Sequence, residues 1–140
     1  MVGQQPCVKA SHGIAGGNQV GAERQAIPLA GEIEALADKA RKGQLTLDEV
    51  RGGTFTITNV GAIGGLFATP IVNAPEVAIL GLHKIAKRPV VRDGKVEIRD
   101  TTYFSLSFDH RVVDGAYAAR FTSRVIETVQ DTKRLLSEVL

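Results

Sequence analysis

The chain has 140 residues, 44% hydrophobic and 23% charged, which suits one globular domain with a modest core. A formal charge of +2, two tyrosines and no tryptophan exclude a basic, base-stacking nucleic-acid binder, and no apolar run approaches the length of a membrane span. Cys7 is the single cysteine, so no disulfide forms within the chain, and the N-terminus lacks the apolar core of a signal peptide; the expected compartment is the cytoplasm or an organelle matrix.

Residues 1–25 are rich in Gly, Gln, Ala and Ser, show no sustained period and are expected to form a flexible or divergent leader. Gly13, Gly16, Gly17 and Gly21 oppose a regular helix. With no strand before them and no Gly-Lys-Ser/Thr after them, they do not make a phosphate loop. His12 has no visible partner and is expected to be solvated.

From Ile27 the pattern turns helical. Leu29, Ile33, Leu36, Ala37 and Ala40 recur at helical spacing, Pro28 fits the first turn, and Gly43 is a natural C-cap. Thr46-Leu47-Asp48-Glu49 has capping-box spacing and predicts a short helix that stops at Gly52-Gly53. Thr54 to Thr58 predicts a strand, in which Thr58 taken alone is simply a β-branched residue. Asn59 to Gly65 is a glycine-rich loop whose backbone must pass close to something, and its spacing is not that of a dinucleotide fold. Val77 to Leu82 is almost wholly apolar, as in a strand buried on both faces, and His83 at its mouth suits a bond to backbone. Pro89-Val90-Val91 and Val96-Glu97-Ile98 flank Asp93-Gly94, a strong hairpin signal.

Phe104, Leu106 and Phe108 then alternate with Ser105, Ser107 and Asp109, the period of a half-buried strand. That strand delivers His110 at its end, and a helix is expected to begin near Asp114. A histidine at such a junction is placed for acid–base work, because its ordinary pKa near neutrality lets it take and return a proton, although a lone histidine at a strand end is more often structural than catalytic. Ala118, Ala119, Phe121, Thr122, Val125, Ile126 and Val129 make the apolar stripe of that helix, and a second short helix is expected from about Thr132. The histidines at 12, 83 and 110 lack ligand spacing and Cys7 is remote, so no metal is expected.

The run Asp109-His110-Arg111-Val112-Val113-Asp114-Gly115-Ala116, followed by Ala119-Arg120-Phe121, resembles the active-site motif of the 2-oxoacid dehydrogenase acyltransferases. These are the E2 components of the pyruvate, 2-oxoglutarate and branched-chain complexes, relatives of chloramphenicol acetyltransferase. Gly52-Gly53-Thr54-Phe55-Thr56-Ile57-Thr58-Asn59 and Ala74-Pro75-Glu76-Val77-Ala78-Ile79-Leu80-Gly81 match in the same order, so the resemblance runs from about Ile27 to the C-terminus. It implies an α/β, chloramphenicol acetyltransferase-like fold, with a mixed sheet and flanking helices, truncated at its N-terminal side. Residues 26–140 would be the C-terminal part of the catalytic domain. The N-terminal half, the lipoyl domain and the peripheral-subunit-binding domain would be absent, and with that half an arginine partner for Asp114.

The resemblance also implies the chemistry: acyl transfer between a dihydrolipoyl thiol and coenzyme A, with His110 as general base and Thr58 as oxyanion stabiliser. Asp114 would organise the loop or orient His110. Asn59, His83 and Ile85 would touch coenzyme A, and the lipoyl group would be the acyl carrier. The expected assembly is a homotrimer, with His110 from one subunit and Thr58 from its neighbour, which can build a larger symmetric core that meets E1 and E3 through other domains. Neither nucleic acid nor membrane is an expected partner. The expected place is the cytoplasm, or the mitochondrial matrix in a eukaryote. The alternatives are a non-catalytic scaffold and another coenzyme A acyltransferase with an amine or hydroxyl acceptor; the Gly-Gly-Thr-Phe-Thr and Pro-Glu-Val-Ala-Ile runs favour the lipoyl type. The pattern after Ala74 resembles the pyruvate and branched-chain enzymes more than the succinyl type.

Overall fold

The structure, a computed structural model, describes residues 8–9, 26–131, 133 and 136. In chain order the elements are β1 (Val8–Lys9), α1 (Ala26–Arg41), α2 (Leu47–Val50), β2 (Thr56–Asn59), β3 (Ala78–Leu82), β4 (Ala86–Arg92), β5 (Lys95–Thr101), β6 (Phe104–Phe108) and α3 (Gly115–Gln130), with a 3₁₀ turn at Gly61–Ile63. The main sheet has the order β1-β2-β3-β6, and β4 pairs with β5 in a separate ribbon. β3 runs parallel to β2 and antiparallel to β6, so the sheet is mixed as expected. Val8 and Lys9 pair with Ile57 and Thr56, which places a short strand inside the expected leader: the free edge of β2 offers backbone groups for them to satisfy. The rest of that leader, His12 included, and all but Lys133 and Leu136 of the expected last helix lie outside the described residues.

Local signals account for most boundaries. Gly43 takes a positive φ of 65°, and Gln44 N–H reaches back to Lys39 O at 2.9 Å, which closes α1. Thr46 and Glu49 form the reciprocal capping box of α2. Lys39 Nζ also donates to Glu49 Oε1 at 2.6 Å, and this bond, with those from Thr46, brings the Glu49 pKa down to about 2. Asp93 and Gly94 both have positive φ, as a two-residue hairpin turn requires, and the ribbon extends beyond its apolar centres to Ala86–Arg92 and Lys95–Thr101.

The register divides the main sheet into two unlike faces. Phe55, Ala78, Leu106 and Phe108 face α3, where Phe121 meets Phe55 with ring centroids 5.8 Å apart. Between sheet and helix lies an apolar cleft of about 180 Å³, lined also by Val113, Tyr117 and the buried Ala118. The other face carries Thr56, Thr58, Ile79, Gly81, Ser105 and Ser107 at paired positions, a row rich in hydroxyls. There the buried Glu76 carboxylate accepts hydrogen bonds from the Thr56 hydroxyl and from Asn73 Nδ2. Ala78, Ile79 and Leu80 of β3 are buried, as their apolar run predicts.

The glycine-rich loop after β2 is tied to the end of β3. Val60 N–H donates to Leu82 O at 3.0 Å and Lys84 N–H to Gly65 O at 2.9 Å. A Cβ on Gly61 would stand 2.6 Å from His83 O, so the close approach that the glycines allow is to this chain's own backbone. Gly61→Ala is expected to destabilise the fold by about 1–3 kcal/mol, because two backbones must part. Urea denaturation measures it, and an unchanged midpoint would refute the close contact.

Candidate active site

His110 stands on a turn between β6 and α3. Its imidazole is exposed, makes no hydrogen bond among the described residues, and touches the Phe108 ring at 5.6 Å between centroids. Asp114 is the N-cap of α3, with its carboxylate accepting Tyr117 N–H at 2.6 Å. This bond seats the Asp114 carboxylate at the start of the helix.

The backbone of this turn converges on Asp109. Its N–H donates to Val77 O at 2.8 Å, and its carbonyl accepts the N–H groups of Val112 and Val113, both at 3.0 Å. Its carboxylate accepts Arg111 N–H at 3.0 Å and grips the Arg111 guanidinium through both oxygens, at 2.6–3.1 Å. The side-chain bond to Arg111, then the backbone bond, draw the Asp109 pKa down to about 2. A carboxylate lowered in this way contributes stability above its ordinary pKa, lost only as pH falls towards 2, so the grip is intact at neutrality.

Thr58 lies near the opposite end of the sheet, half-buried on β2. It is level with Gly81 and Ser105, with a hydroxyl that has no hydrogen-bond partner among the described residues. Phe108 is three positions beyond Ser105, roughly 10 Å along the strand, and His110 lies on the turn past it, beside Phe108 on the α3 side. The structure thus does not bring Thr58 and His110 together within one chain.

Around Thr58 it gathers other groups. Asn59 Oδ1 accepts Gly61 N–H at 2.9 Å and so opens the glycine loop. His83 is buried, at 3% exposure, with Nε2 2.9 Å from Ser105 Oγ. Ser105 donates its hydroxyl proton to Ala68 O at 2.8 Å, so it must accept from His83, which fixes the proton on Nε2. His83 Nδ1 is then a bare lone pair, buried and unpartnered among the described residues. The Phe67 ring stacks over this imidazole at 5.8 Å. The bond expected from His83 to backbone is thus made to a serine, whose hydroxyl reaches the backbone in turn. Ile85 is exposed beside the glycine loop, beyond the end of β3.

Ser105 and Asp109 were not singled out by the sequence. Nothing local pairs Ser105 with a histidine 22 residues earlier. Asp109 did carry a local signal, an aspartate two residues before a free N–H, the pattern of an Asx turn. No group of three His, Cys, Asp or Glu side chains among the described residues could hold a metal, and no helix among them is long and apolar enough to cross a membrane.

Residues 21–137 match the model of the 2-oxoacid dehydrogenases acyltransferase (catalytic domain). The chain is 47% identical over 108 residues to the dihydrolipoyllysine-residue succinyltransferase component of the 2-oxoglutarate dehydrogenase complex of Haemophilus influenzae, covering 77% of this chain and 26% of that one. Among solved structures, a dihydrolipoamide acetyltransferase of Azotobacter vinelandii, studied for the catalytic roles of a serine, a histidine and an asparagine, superimposes with a TM-score of 0.76 at 49% identity. The cubic core of a pyruvate dehydrogenase multienzyme complex gives 0.76 at 48%. Each covers 81% of this chain and 47% of the solved one. The chain spans about a quarter of the curated relative and about half of the solved cores. Identity is nearly equal to succinyl-type and acetyl-type relatives, so the likeness after Ala74 to the pyruvate type does not separate this chain from the succinyl type.

Asp114→Ala is expected to cost about 1 kcal/mol through the lost cap, and Asp114→Asn, which keeps the acceptor, only a few tenths. Thermal melts of the two variants measure the difference, and equal losses would refute the cap as the main role of the side chain.

Proposed function

The chain belongs to the 2-oxoacid dehydrogenase acyltransferase family, and on that premise we propose that it carries the C-terminal part of a site that moves an acyl group between a dihydrolipoyl thiol and coenzyme A. The supporting observation is spacing together with placement. The serine, histidine and asparagine of the Azotobacter enzyme stand 52 and 4 positions apart, as Thr58, His110 and Asp114 do. His110 is also exposed and unbonded among the described residues, and an aspartate or an asparagine can equally cap α3.

His110 takes the proton from the attacking thiol, whose ordinary pKa lies above neutrality, and so supplies thiolate. The thiolate adds to the thioester carbonyl. Thr58 donates a hydrogen bond to the resulting oxyanion, an interaction that strengthens as charge develops. The tetrahedral intermediate collapses, the carbon–sulfur bond to the leaving thiol breaks, and the protonated His110 returns its proton to that sulfur.

Since Thr58 and Phe108 are roughly 10 Å apart along the sheet, with His110 past Phe108 on the opposite face, one carbonyl does not touch both groups of one chain. The site is therefore completed between copies, His110 from one and Thr58 from its neighbour, in a homotrimer that can build a larger core. That arrangement agrees with the likeness to a cubic core. Asn59, His83 and Ile85 border the pantetheine arm of coenzyme A. The lipoyl group arrives on a separate domain, as do the contacts with E1 and E3. The place of action is the cytoplasm, or the mitochondrial matrix in a eukaryote.

The test is acyl transfer from acetyl- and succinyl-coenzyme A to dihydrolipoamide, with the oligomer mass recorded on the same sample. His110→Ala is expected to abolish turnover in a folded protein. Thr58→Ala should lower kcat by about 10²–10³-fold while affinity for coenzyme A stays nearly intact. Wild-type turnover in the histidine variant would refute the general base, and an equal loss of affinity and kcat in the threonine variant would make Thr58 a binding residue.

A further inference from the structure

The turn that presents His110 has a single hub, and we infer that Asp109 is a positioning residue for acyl transfer, holding His110 at its working angle through the closed turn to Arg111. This inference rests on His110 being the general base. The bonds at Asp109 bracket the histidine on both sides. Upstream, Asp109 N–H ties the turn to Val77 O, at the mouth of β3. Downstream, its carbonyl takes two N–H groups and its carboxylate takes a third, from Arg111, Val112 and Val113. The His110 side chain takes no part in these bonds and, among the described residues, contacts the Phe108 ring. Asp114, four positions on, spends a carboxylate oxygen on the helix N-terminus instead.

The guanidinium of Arg111 has a second effect. It closes over both carboxylate oxygens and balances the charge of the turn. Arg111 is largely exposed, with 89% of its side chain open to solvent, so this ion pair alone is a weak fastener. The short-range element is the bond from Arg111 N–H to Asp109 Oδ1, which fixes two consecutive peptide planes around His110.

Three substitutions at one position separate the turn from the charge. Asp109→Asn keeps an acceptor for the Arg111 N–H and removes the charge. Asp109→Glu keeps the charge, but its longer arm cannot close the turn. Asp109→Ala removes both. The measurements are kcat and the KM for coenzyme A, made on the full protein, together with the NMR signal of the His110 ring, assigned by its absence in His110→Gln. The expected result is a loss in kcat of at least about tenfold for Ala and Glu with little change in KM, and recovery of most of kcat in Asn. The ring signal should move towards that of free histidine in Ala and Glu, and stay in place in Asn. Wild-type kcat in Ala, or rescue by Glu and not by Asn, would overturn the inference. If the wild-type protein shows no turnover, the proposed function fails and the ring signal decides alone: a signal that does not move in Ala and Glu overturns the positioning role.

Discussion

The pairing of β3 on both of its edges is the constraint on which the rest depends. β3 is short, yet it receives β2 on one side and β6 on the other; β2 carries Thr58 and Asn59 within its paired stretch, and β6 leads to His110 just beyond its own. Its lower mouth, at Val77, anchors the turn that holds His110. Its upper mouth, at His83, anchors the glycine loop that follows Thr58 and Asn59. Gly81 sits between, level with Thr58 and Ser105, where a Cβ would come 2.7 Å from Ser105 Oγ. A side chain there would collide with the serine that fixes the tautomer of His83. An apolar, two-sided strand thus places the exposed imidazole of His110 at one end and a hydroxyl-lined surface at the other.

Much of this was legible in the sequence wherever the cause is local. The capping box at Thr46, the C-cap at Gly43 and the turn at Asp93-Gly94 each require particular residue types at fixed offsets, and each formed where those residues stand. The alternation of Phe104, Leu106 and Phe108 gave the strand and its two faces. The position of His110 followed, because a strand that ends and a helix that begins leave little choice between them.

What stayed hidden depends on partners distant in the chain. The bond from His83 to Ser105 spans 22 residues, and its consequence, an orphaned lone pair, cannot be read from either residue alone. β2 begins two residues later than the β-branched run suggests, since its pairing with β3 starts only at Thr56 opposite Ile79. The strand at Val8–Lys9 was illegible because two residues carry no period; they pair because β2 has an open edge. The roles of Thr58 and Asp114 came from resemblance. The structure adds that one is an unbonded hydroxyl and the other a helix cap.

The separation of Thr58 from His110 along the sheet has a genetic consequence. If each copy supplies one half of a site to its neighbour, no chain is a unit of function, and damage to the two halves need not add. A chain without a working His110 still lends its Thr58, and a chain without Thr58 still lends its imidazole. Two defective alleles expressed together would then form some junctions that lack both groups and others that are whole. Complementation between alleles of one gene, usually taken as a sign of two separate functions, would here report a single function divided across a seam.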